Sequence, residues 1–196
     1  PSRASADSGK KLVLRKVQTP IVVDGVIDQS WSQADSAADF VQQAPYHGKD
    51  PSRRTVAKVL TTNRSLYCIM ICYDERKNVQ RTRGVLDDFA GDVVSLMLDT
   101  FNDKRTAYKF AVSASCVRAD CRLLDDARNR DYNFDAVWRA ATRIYDWGFV
   151  VEMEIPYRSI QYHEGMTEWG LDFDRWIPTL NEYIYCNGYE ENEGQR

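Results

Sequence analysis

Two glutamates one residue apart, Glu152 and Glu154 in VVEMEI, are the most direct candidates for acid–base chemistry. Strand alternation puts both carboxylates on one face, with Val151, Met153 and Ile155 on the other. Their backbone separation of roughly 6–7 Å is near the carboxyl spacing that glycosidases use. A strand with one solvated face gives the same pattern, and a solvated face is the expectation. Other machinery is scarce. His47, in PYHGKD, and His163 have no nucleophile or carboxylate at a telling spacing. The sequence contains no GxSxG, HExxH, Walker or GxGxxG pattern. The expectation is a chain without catalysis of its own.

Acidic loops offer a second kind of chemistry. Asp87-Asp88 with Asp92, and Asp99 with Asn102-Asp103, bring hard oxygen ligands close together, although not at EF-hand spacing. Calcium is the ion they could hold, through Asp87, Asp88 and Asp99, and no cofactor is required. The five cysteines form no zinc pattern, and in SLYCIMICYD alternation puts Cys68 and Cys72 on a core face with Leu66 and Met70.

Aromatic residues give a third. In WGLDFDRWIP, alternation sets Trp169, Leu171 and Phe173 on a buried face and Asp172, Asp174 and Trp176 on the other. A tryptophan beside carboxylates on an open sheet face suits sugar, its ring stacking on the C–H face of a pyranose while acids take hydroxyls. A tryptophan covered by a loop would give the same pattern. Alternation turns Arg175 towards the core side, where a buried acid could pair with it.

The elements that must position these residues are short strands. The 196 residues are 43% hydrophobic, with 26 basic and 29 acidic residues mixed along the chain, as in one globular domain. No basic stripe suggests nucleic acid, and no apolar run reaches the roughly 18 residues of a membrane helix. Residues 1–15 read as a flexible leader and 187–196 as a tail or linker, around a domain at 16–186. Ile21–Val23 reads as a first strand. The runs at 55–62 and 65–74 form a hairpin across Asn63-Arg64. Further strands follow at 92–99, 106–115 and 117–124, the last two a second hairpin, then at 137–146, 149–156 and 169–178. Helix is limited to a turn capped by Asp28 and another after Pro156. The fold class is all-β, an antiparallel, jelly-roll-like β-sandwich with one or two short helical turns. Within VDGVIDQSW, Asp24-Gly25 ends the first strand and Trp31 returns to the core, so that stretch reads as structural.

Taken in order, IVVDGVIDQSWSQAD, TVAKVLTTNRSLYCIMICYD, GDVVSLMLDTFNDKRTAYKFAVS, WGFVVEMEIPYRSIQY and WGLDFDRWIPTLNE resemble the family 9 carbohydrate-binding modules. The branch they most resemble stands at the N-terminus of large bacterial cell-envelope proteins, ahead of a region like an outer-membrane barrel. The resemblance implies a β-sandwich that binds oligosaccharide or polysaccharide and targets a larger, membrane-associated protein to glycan. It also implies a secreted or periplasmic location. The family's stacking tryptophan falls at Phe89, its sugar-binding glutamate at Ser95, its arginine at Ala111 and an asparagine at Ser113. Tyr183, Tyr185 and Tyr189 are the candidates for a second clamping ring, and Cys116 stands where relatives tend to have glycine. The expected contacts are Phe89 and Trp176 for stacking, with Asp92, Asp174 and Arg175 for hydroxyls. The alternative is a structural or protein-interaction domain that has lost the sugar site, as Ser95 and Ala111 suggest. More remote are glycoside hydrolysis through Glu152 and Glu154, and haem binding through Met70, Met97, Met153 and His163, since related sandwiches ligate haem.

Overall fold

The computed structural model describes residues 11–82, 91–125 and 127–187. Their strands are β1 (Arg15–Lys16), β2 (Ser36–Ala37), β3 (Val41–Ala44), β4 (Thr55–Thr61), β5 (Ser65–Tyr73), β6 (Val93–Asp99) and β7 (Ala107–Ser113). They continue with β8 (Arg118–Leu124), β9 (Asn129–Asp131), β10 (Arg139–Tyr145), β11 (Gly148–Pro156), β12 (Gly170–Ile177) and β13 (Glu182–Tyr185). One sheet runs β1-β4-β5-β11-β10, with β2 also on β4; the other runs β3-β13-β12-β6-β7-β8-β9. Pairing is antiparallel except between β1 and β4. The antiparallel β-sandwich is as expected, and among the described residues helix is confined to single 3₁₀ turns at Gln29–Gln33, Tyr157–Ser159 and Pro178–Leu180.

The unbroken apolar run of β5 has a simple cause: both of its faces are covered. Leu66, Cys68, Met70 and Cys72 face the other sheet and pack with Val94, Leu96, Phe110 and Val112. Tyr67, Ile69 and Ile71 face away, under a lid made by Val17, Ile21, Trp31 and Ala34. Cys68, Cys72, Cys121 and Cys186 are buried, and burial pushes Cys72 up to about 12. They act as small apolar side chains.

The same lid corrects two expectations. Ile21–Val23 is irregular chain lying on the sheet, not a strand. Glu152 is not solvated but 0% exposed beneath it. Its carboxylate accepts from the Trp31 indole at 2.7 Å and from the N–H groups of Asp24 and Gly25 at 2.9 and 2.8 Å. Burial raises the Glu152 carboxyl, with those three donors opposing it. Glu154 accepts from the Ser65 and Tyr67 hydroxyls. Asp28 caps the 3₁₀ turn through Ser30 N–H, as expected, which presents Trp31 to Glu152. Gly25, at φ +78°, lies so close to β10 that a Cβ would stand 2.8 Å from Arg143.

The longer strands match their expected runs, and Thr62 N–H to Ser65 C=O closes the Asn63-Arg64 hairpin. Not anticipated were β1, β2, β3, β9 and β13, which are two to four residues long. Within the expected leader, Arg15 already pairs with Leu60 and Val13 N–H donates to Asp35.

Candidate functional site

With one sheet covered on its far side, the open outer face belongs to the seven-stranded sheet. Strand register defines what stands there. Tyr185, Asp174, Ser95, Ala111 and Ala119 are successive partners across β13, β12, β6, β7 and β8. Two residues along, the next row is Tyr183, Trp176, Val93 and Ser113, and on the opposite side it is Asp172, Met97, Lys109 and Cys121. Small side chains at the centre of the face leave a groove of about 380 Å³. Trp176 and Tyr183, with ring centroids 4.8 Å apart, stand on one side of the Ser95–Ala111–Ala119 floor, and Tyr185 extends this ladder behind Tyr183 at 5.9 Å. Arg130 and Tyr132, at the β9 end, line the groove as well, and Tyr132 is 60% exposed.

The polar groups are few and fixed. Lys109 lines the groove and donates to Asp174 at 2.6 Å, with side chains 13% and 3% exposed. Burial presses Lys109 towards the neutral form, but the Asp174 charge overrides it and holds the ammonium above its ordinary value. Asp172 is buried beside this pair. Desolvation pushes its carboxyl up to about 7, against N–H bonds from Asn187 and Phe173 and with the Asp174 charge adding to the rise. Asp120, which also lines the groove, uses its two oxygens on Ala136 N–H and the Trp138 indole.

The structure places Trp176 in this groove and Asp174 on the same strand face, buried behind Lys109. It separates two others. Asp92 and Arg175 are each 0% exposed, between the sheets, and no solvent-borne ligand reaches them. Arg175 lies over the Phe149 ring, donates to Thr55 and to the Tyr73 carbonyl, and stands 3.7 and 3.6 Å from Asp74 and Asp92. Asp92 also accepts from Gln80 N–H. Both are therefore corrected from sugar contacts to interior ion partners: period two turns Arg175 inward, and a buried arginine needs its acids. Asp99 binds N–H groups of Phe101, Asp103 and Lys104 and organises its own loop. Among the described residues no group of three or more His, Cys, Asp or Glu could hold a metal ion. Phe89, Asp87, Asp88 and Tyr189 lie outside the described residues.

Sequence reasoning did not single out Lys109, Arg130 or Tyr132. Alternation along β7 from Ala111 would have found Lys109; nothing local marks the other two. Of the haem candidates, Met70 and Met153 are core residues, while His163 is exposed and meets the Phe101 ring edge-on.

Residues 23–176 match the model of the carbohydrate family 9 binding domain-like family. The chain belongs to that family. This family 9-like domain is similar to a family 9 carbohydrate-binding module from Caldicellulosiruptor kristjanssonii solved with cellotriose. Identity is 16%, the TM-score is 0.64, and 92% of this chain and 85% of that one are covered. The glucose complex gives 15% and 0.62, with 88% and 85% covered. A protein from Bacteroides uniformis gives 10% and 0.68, with 93% of each chain covered. At such identities the likeness concerns the fold. No curated protein matches the domain.

Proposed function

We propose that the domain binds a saccharide, without catalysis, in the groove on the outer face of the seven-stranded sheet. The observation that carries this is the placement of Trp176 and Tyr183 beside a floor of Ser95, Ala111 and Ala119, with Lys109 within the groove and Tyr132 at the β9 end. Aromatic faces over a small-residue floor fit a flat pyranose, and an ion pair at its edge supplies hydroxyl partners. Family membership and the sugar complexes of its structural neighbours support the same reading. Glu152 and Glu154, the carboxylates considered for hydrolysis, are engaged by Trp31, Ser65 and Tyr67, which favours a binding role. The proposal extends to location: an extracytoplasmic head that brings a larger envelope protein to glycan, supported by the resemblance of its sequence blocks.

The test is calorimetry against plant and microbial oligosaccharides, cellotriose among them, with and without calcium. Saturable binding with a Kd at or below about 1 mM, roughly −4 kcal/mol, is expected. Trp176→Ala weakens it at least about tenfold, about 1.4 kcal/mol. A flat response from folded protein contradicts the proposal. It favours the second reading, a protein-interaction domain, for which the specific observation is the uncharged floor at Ser95 and Ala111.

A further inference from the structure

The charges that line the groove do not balance. The acid that lines it is engaged internally: both Asp120 oxygens accept, from Ala136 N–H and the Trp138 indole, while Asp174, behind Lys109 with its side chain 3% exposed, gives Oδ2 to that ammonium. The groove's bases face the opening. Lys109 keeps donors beyond the one given to Asp174, since an ammonium has three. Arg130 is exposed and lines the groove together with Tyr132. The carboxylate next to it in sequence, Asp131, is taken by Arg122 at 2.6 Å. Among the described residues that line the groove, a ligand lying on Ser95, Ala111 and Ala119 therefore meets two cations, and the one carboxylate there, Asp120, has both oxygens engaged.

We infer that the groove selects an acidic saccharide, a uronic acid unit whose ring stacks between Trp176 and Tyr132 and whose carboxylate is taken by Arg130. A guanidinium presents two parallel N–H groups to a carboxylate, a geometry that a neutral hydroxymethyl group cannot use. The inference rests on the saccharide reading above and sharpens it.

The experiment titrates the domain with trigalacturonate and triglucuronate, with their carboxyl-reduced neutral counterparts, and with cellotriose, at low and at high sodium chloride. An acidic trisaccharide is expected to bind about tenfold more tightly than its reduced form, with the advantage shrinking in high salt. Arg130→Gln is expected to bring the acidic sugar down to the affinity of its reduced form. Trp176→Ala weakens both, and circular dichroism confirms that each variant folds. Equal or tighter binding of the neutral sugars, still sensitive to Trp176→Ala, overturns the charge selection and leaves the saccharide reading in place. An acidic preference that survives Arg130→Gln overturns the assignment of the carboxylate to that residue. No binding of any sugar overturns both.

Discussion

Asp172 shares a strand face with Asp174 and Trp176, and it is 3% exposed. Its Oδ1 accepts from Phe173 and Asn187 N–H, while Oδ2 is buried with no hydrogen-bond partner. Its carboxyl is raised from 3.8 to about 7, so the folded protein holds this proton more tightly than the unfolded chain does. Stability from this group is fully present below about pH 4 and is lost as the pH rises through about 7. The unfolding free energy from urea titrations should fall between about pH 5 and pH 8, by an amount on the order of a few kcal/mol. Asp172→Asn, which keeps the acceptor, should flatten that slope; identical slopes for parent and variant would contradict the assignment. Period two in WGLDFDRW was enough to read which residues share Trp176's face and to turn Arg175 inward. It could not show Asp92 as Arg175's partner, because Asp92 is set by Gln80, twelve residues earlier, and by a strand from another part of the chain.

At the level of elements, the β7–β8 hairpin carries a non-glycine residue in a left-handed turn. Cys116 has φ 63°, where a Cβ crowds the backbone, which explains the expectation of glycine there. Its thiol makes only a 3.6 Å contact to the Ala140 carbonyl. Cys116→Gly should stabilise the domain by about 0.5–1 kcal/mol, raising Tm by roughly 1–4 °C. A lower Tm in a thermal melt would show that the sulfur contact outweighs the strain. Elements of seven or more residues were legible because two or three periods of alternation fit within them. EYIY in β13 and NRD in β9 are too short for that, and their partners lie far away in sequence. The loss matters, since β13 supplies Tyr183 to the groove and β9 leads into Tyr132.

The whole molecule explains why the groove is where it is. A sandwich offers two outer faces, and residues 17–34 close one of them over Tyr67, Ile69 and Val150, anchored by Glu152 on Trp31. Among the described residues no comparable segment closes the outer face of the seven-stranded sheet, and the small residues Ser95, Ala111 and Ala119 at its centre make that face concave. A second depression of about 500 Å³, beside Ile21–Val23, Arg139 and Glu154, lies where the lid meets β10 and β11 and has no aromatic wall. The most direct measurement is an amide chemical-shift map of the isotope-labelled domain titrated with an oligosaccharide that binds it. The shifts should cluster at Ser95, Lys109, Ala111, Ala119, Tyr132 and Trp176. Shifts centred on Ile21–Val23 and Arg139, with the groove residues unmoved, would contradict the account.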